Sequence, residues 1–177
     1  MILKYCTRTV ISEEKDECVS VDELKAHALI VHDMYDQQLL AAIKAAITSI
    51  ETDTNVSLRQ ITVQENYIAQ AGDVAFLGSG NVQVDYVTVL GTNEQLVKGK
   101  HFTVHKNKIT FLEPVHEVVI QYIAGYKYNN VPADIRYAVL MRSAALFQTR
   151  SDLTSENLKL AARCSDNLIS KYRQLRR

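Results

Sequence analysis

Proline is scarce in this 177-residue chain, with two in all, and cysteine occurs three times. Cys6, Cys18 and Cys164 are odd in number, far apart and without any C-x-x-C spacing. That excludes a disulfide framework and leaves buried or incidental thiols. No apolar run reaches membrane-spanning length, and the opening MILKYCTRTV lacks the basic-then-apolar layout of a signal peptide. The chain therefore reads as a cytoplasmic product with no membrane association. Its length suits one domain, or one domain with an appended helix, and is enough to bury a core. Net charge is zero, so global charge lends no support to a nucleic-acid binder.

Catalytic and cofactor signatures are also missing. His101 and His105 share a face if their segment is a strand, but four residues at about 3.3 Å each hold them roughly 13 Å apart, too far for one metal. GSGNVQ has two glycines without a third, without a following Lys-Ser/Thr and without a helix to receive a phosphate, so it reads as a turn. There is no nucleophile elbow, no H-E-x-x-H and no Cys–His pairing. Glu13 and Glu14 lie in a polar leader, where solvated charge is the ordinary state. The expectation is a protein that is not an enzyme and holds no metal or cofactor.

What is present is periodic. Residues 1–19 read as an extended or irregular leader. SVDEL opens a short helix over 21–28, with Ser20 able to cap and Glu23 able to reach back in a capping box. A longer helix over 35–52 places Leu39, Ile43, Ala46, Ile47 and Ile50 on one face. It stops near ETDTN, where polar side chains compete for the backbone. Strands are expected within 60–124. Val82, Val84 and Tyr86 alternate in one phase and Val87 and Val89 in the other, which implies a bulge or a strand buried on both faces. Phe102 and Val104, the turn HKNK, then Ile109 and Phe111 read as a hairpin. AGDVAFLGSGN reads as a mobile excursion over about 70–81.

One stretch joins strand to helix, YIAGYKYNNVPADIRYAVL. Gly125 ends the strand, Tyr126 follows it, Asn129 or Asn130 can cap, and Pro132 sits in the first helical turn, where its missing N–H costs nothing. The helix over 133–149 is apolar nearly all round, so burial against both sheet and helix is expected. Arg142 within it needs a carboxylate or a subunit boundary. Tyr122, Tyr126, Tyr128 and Tyr137 cluster around this junction. With few interleaved bases they suit core or interface packing better than base stacking.

Charge is uneven. Residues 1–55 hold ten acids against five bases, and residues 150–177 hold seven bases against three acids. Two solvated helical surfaces would show the same asymmetry; so would charged contacts at two ends. The final helix, within 151–177, repeats Leu158, Ala161, Ser165, Leu168, Tyr172 and Leu175 at spacings of three and four. Beside that seam runs a stripe containing Lys159, Arg163, Arg173 and Arg177. The overall class is α+β: an N-terminal helix pair and a long C-terminal helix packed with a small antiparallel sheet and hairpin region, plus an extended terminal helix.

With that layout, the sequence resembles the head–tail connector (adaptor) family of long-tailed bacteriophages and prophages. VSVDELKAHALIVHDMYDQQLLAAIKAAITSIETDTNVSL resembles its opening helix pair. VVIQYIAGYKYNNVPADIRYAVLMRSAALFQTR resembles its closing signature, a strand ending in Ala124-Gly125-Tyr126, a loop to Val131-Pro132, and an apolar helix ending near Arg150. The resemblance covers about residues 20–150, which would be the connector core. It implies a virion protein at the head–tail interface, assembled in the bacterial cytoplasm as a homo-oligomeric ring, commonly of twelve copies, beneath the portal protein. Such a ring extends the channel for double-stranded DNA without reading sequence. It also supports the next head-completion, stopper or tail protein. Carried over, portal binding falls to Leu168, Tyr172, Arg173, Leu175, Arg176 and Arg177 on a docking helix over 151–177. The alternative is a DNA-binding or packaging accessory protein using the stripe Lys159, Arg163, Arg173 and Arg177.

Overall fold

Alternating and helical periods separate into two compact units in the computed structural model. The structure describes residues 4–14, 17–68, 72–77, 82–92, 94–115, 117–148 and 155–173. One unit draws on residues 1–14 and 60–126, the other on 15–59 and 127–176.

The first unit is β-structure. β1 (Lys4–Glu13), β2 (Ile61–Ile68), β7 (Glu117–Ala124) and β4 (Gln83–Val89) form an antiparallel sheet in the order β1-β2-β7-β4. β3 (Val74–Phe76), β6 (Lys108–Phe111) and β5 (Phe102–His105) form a second sheet in the order β3-β6-β5. One apolar cluster contains Val63, Tyr67, Val118, Ile120 and Tyr122 of the larger sheet with Ala75, Phe102, Ile109 and Phe111 of the smaller. The period of two aims these residues inward. At about 1.5–3 kcal/mol for each large apolar side chain fully buried, this cluster is the unit's principal source of stability.

Three sequence expectations meet the structure here. The phase slip in β4 is a register shift between Val84 and Tyr86 against β7, so the odd residue is accommodated by an irregularity. The 102–111 hairpin forms, with Lys106 in the left-handed region at φ 55°. The excursion expected over 70–81 is corrected in part, because Val74–Phe76 pairs with β6 and the Leu77 N–H donates to the Asn107 carbonyl at 2.9 Å. Ala75 and Leu77 are buried, and that burial anchors the segment. Residues 70–71 and 78–81 of the expected excursion lie outside the described residues. The leader, expected to be extended or irregular, is extended over residues 4–13, which form an edge strand with register shifts at Tyr5/Thr7 and Val10/Ser12.

The second unit is helical: α1 (Val21–Ala28), α2 (Asp36–Thr54), α3 (Ala133–Gln148) and α4 (Ser155–Ile169), with α4 running into a 3₁₀ turn at Ser170–Tyr172. The capping box is complete: the Glu23 N–H donates to Ser20 Oγ at 3.1 Å, and the Ser20 N–H donates to Glu23 Oε2 at 2.8 Å. α2 buries Leu39, Ile43, Ala46, Ile47 and Ile50 at helical spacing. It ends on Asn55, whose φ of 56° is the left-handed conformation that asparagine tolerates. α3 packs against α1, α2 and α4. Ile135, Ala138, Val139, Ser143 and Ala144 of α3 are buried, on more than one side of the helix.

Candidate interaction surface

The polar centre of the helical unit is Arg142, which is 8% exposed. Its Nη1 donates to Ser49 Oγ at 2.6 Å and to Asp53 Oδ2 at 2.7 Å, both on α2. Its Nε donates to Ser165 Oγ at 2.8 Å and its Nη2 to Asp166 Oδ1 at 2.7 Å, both on α4. Ser165 in turn donates to the Ala162 carbonyl at 2.8 Å. A guanidinium carries its donors in a fixed fork, so one side chain on α3 sets the placement of both neighbouring helices. Of the two outlets expected for this charge, the carboxylate is realised, and twice.

α4 is therefore held within the helical unit. Ile169 and Ser165 are fully buried, and Leu168 and Tyr172 are partly buried. Lys171 forms an ion pair with Asp134 at the start of α3, and the Tyr172 hydroxyl lies 3.4 Å from the same carboxylate. The hydrogen bond from Lys171 holds the Asp134 carboxyl below its ordinary value and, reciprocally, raises the ammonium of Lys171. Of the seam read from sequence, Ser165 is buried and Leu168 and Tyr172 are partly buried, while the side chains of Leu158 and Ala161 and all of Leu175 lie outside the described residues.

Portal candidates from the sequence thus fall in different environments. Leu168 and Tyr172 are half-buried, and Arg173 is exposed with Nη2 3.5 Å from Asp166. Leu175, Arg176 and Arg177 lie outside the described residues. In the basic stripe Arg163 and Arg173 face solvent, while the side chain of Lys159, and all of Arg177, lie outside the described residues. The Asp166 carboxylate interrupts the stripe.

Gly125 has a φ of 90°, so the strand ends on a conformation that favours glycine. Tyr126 is the last residue of the β unit and Lys127 the first of the helical unit, so the chain passes between units at this junction. Pro132 immediately precedes α3, and its carbonyl accepts from the Ile135 and Arg136 N–H groups at 3.0 Å each. It occupies the capping position expected of Asn129 or Asn130, which instead lie in a 3₁₀ turn at Tyr128–Asn130. Arg136, one turn into α3, forms an ion pair with Glu23 of α1 and lies 5.3 Å from the Tyr128 ring centroid.

A second buried polar cluster sits in the β unit, and sequence reasoning did not find it. Glu65 is 4% exposed and accepts from the Tyr67 hydroxyl at 2.5 Å and the Tyr122 hydroxyl at 2.8 Å, with Arg8 Nε 3.5 Å away. Its signal was an acid at an inward position of an alternating strand. These polar groups satisfy one another, and the two described depressions of the surface are lined without a paired acid and base. Among the described residues no three His, Cys, Asp or Glu side chains gather as metal ligands, and no helix is long and apolar enough to cross a membrane.

Three solved structures share this fold, each over nearly its whole length. The neck of an empty gene transfer agent particle, computed with C6 symmetry, superposes with a TM-score of 0.75 at 20% identity, covering 97% of both chains. The neck of the native particle, computed with C12 symmetry, gives 0.66 at 21% identity over 96% of this chain and 97% of that one. The native virion gives 0.64 at 19% identity over 97% of both. No curated protein matches the chain. The profile of the head completion proteins matches residues 17–146, which runs from α1 through most of α3 and takes in the β unit between them. The chain belongs to the head completion protein family.

Proposed function

We propose that this protein is a ring-forming subunit of the head–tail connector. Its role is structural, at the junction between a DNA-filled head and a tail. The family match over 17–146 carries the reading. The fold shared with neck chains solved under C6 and C12 symmetry supports a closed ring of identical copies; the twelve copies of this proposal match the higher of those symmetries. A ring of this kind needs unlike surfaces that meet head-to-tail around an axis. In the proposed arrangement the ring sits on the portal protein, extends its channel for DNA, and presents its other side to a stopper or tail component.

Portal contact is assigned to the end of α4 and the residues after it: Leu168, Tyr172, Arg173, Leu175, Arg176 and Arg177. Supporting this, Arg173 is solvent-exposed and Tyr172 keeps one side open, while the ion pair of Lys171 with Asp134 ties the turn after α4 to the start of α3. A duplex-gripping role for the basic stripe is less well supported, because Asp166 lies between Arg163 and Arg173 and is shared by Arg142 and Arg173.

Electron microscopy of particles carrying the chain tests the ring, and solitary copies at the neck would refute it. Removal of residues 174–177 tests the docking assignment: portal co-purification should be lost while the ring subunit stays folded. Retained portal binding after that truncation would take Leu175, Arg176 and Arg177 out of the contact.

A further inference from the structure

Between α1 and α2 the chain exposes three large apolar side chains within six residues. Val31 is 97% exposed, Leu29 88% and Met34 78%. Single exposed hydrophobes need no explanation, but a group this dense on a short connection does. The connection is also ordered. Lys25 Nζ bonds Asp33 at 2.7 Å and Asp36 at 2.5 Å, spanning the loop from helix to helix. The Ile30 N–H donates to the Lys25 carbonyl at 2.9 Å. His32 stacks edge-on to Tyr35, and Tyr35 on Phe147 of α3. Leu29 itself adopts φ 56°, a conformation costly for a leucine that a glycine would relieve. The fold thus spends rigidity, and some backbone strain, on holding apolar side chains in water. Such pre-ordering lowers the entropy lost when a partner covers them.

A complementary face exists on the same chain. On α4, Leu160 is 63% exposed, and Arg163 and Cys164 are exposed one turn further on. Asp33 in the loop and Asp36 at the start of α2 share the single Lys25 of α1, which leaves that cluster acidic by one charge, while Arg163 makes no ion pair with a described residue. In a single copy neither surface covers the other, since both remain open.

We infer that the α1–α2 loop is a knob that seats on the exposed face of α4 in the next copy of this chain. Leu29, Val31 and Met34 meet Leu160, and Asp33 lies toward Arg163. The two surfaces are unlike, as a closing head-to-tail contact requires. The inference rests on the ring reading and adds to it the identity of the contact.

The natural Cys164 supplies the test. Leu29→Cys, Val31→Cys and Met34→Cys, made singly in the full chain, are assembled into particles and exposed to a mild oxidant. At least one should yield disulfide-linked dimers and a ladder of higher multimers, because facing Cα atoms come within about 7 Å. The ladder should vanish when Cys164→Ser is added. A second variant, Val31→Asp, should need at least about tenfold more protein to assemble. Its monomer should melt as the wild type does, since the side chain is solvated before assembly. Rings without any ladder, assembling equally well with Val31→Asp, would overturn the knob and leave the ring standing. Solitary copies at the neck would overturn both.

Discussion

Replacing Arg142 with methionine separates a helical unit tied by one side chain from one held by apolar contact alone. Methionine keeps most of the volume and no donor, so packing is nearly preserved while four hydrogen bonds are lost. Breaking a fully buried ion pair by removing one partner costs about 3–5 kcal/mol, chiefly through the stranded charge. Here the strandable charges keep access to water: the Asp53 side chain is 38% exposed and that of Asp166 42%. Their rehydration puts the loss at the lower end, about 3 kcal/mol, with the orphaned Ser49 and Ser165 hydroxyls contributing a part. For a chain of this size that lowers the melting temperature by roughly 6–12 °C. Urea unfolding followed by helical circular dichroism measures it. Asp166→Asn, which still offers an acceptor, should cost about 1 kcal/mol, and exposed Arg163→Met should fall within about 0.5 kcal/mol of wild type. A loss below about 1 kcal/mol for Arg142→Met would refute the tie and return α4 to the status of a separable arm.

Other measurements follow from the same structure. Burial pushes the Cys18 thiol up to about 12, so at pH 8 a thiol reagent should label exposed Cys164 quickly and Cys18 only after unfolding. Equal labelling rates in the native protein would contradict that burial. The unfolded thiol ionises near its ordinary 9.0, so the stability held by keeping Cys18 protonated is complete below pH 9 and is lost as pH rises toward 12. Asp134 and Asp33 are held below their ordinary 3.8 by Lys171 and Lys25, so each contributes stability above that value that is lost as pH falls through the depressed one. Carboxyl resonances titrating at ordinary values in both would remove the two ion pairs. Tyr122→Phe deprives Glu65 Oε1 of its donor and should cost about 1–2 kcal/mol in the melting of the β unit. An unchanged transition would show that Tyr67 and Arg8 suffice.

Local chemistry was readable and distant pairing was not. The capping box at Ser20 and Glu23, the bulge in β4 and the partners required by Arg142 follow from spacing or from the cost of burying one residue type. β1 escaped because every described side chain from Thr7 to Glu14 is exposed, which leaves no alternation to read. β3 escaped because three residues are too few to show a period, and its partner lies more than thirty positions away. The seam of α4 was visible, yet an apolar stripe looks the same whether it meets its own chain or another. Nor can composition tell a buried Leu39 from an exposed Leu29. Helical spacing marks Leu39 for the core, whereas the exposure of Leu29 shows only in the structure.

The interleaving of the two units carries a consequence for synthesis on the ribosome. α1 and α2 emerge early with an apolar face whose partner, α3, follows only after residues 60–126 have been made. The β unit has all its strands once Ala124 has emerged, whereas the helical unit waits for α3 and α4. Nascent chains halted before Ala133 would therefore display Ile43, Ile47 and Ile50 to holding chaperones, and the arrival of α3 ends that exposure.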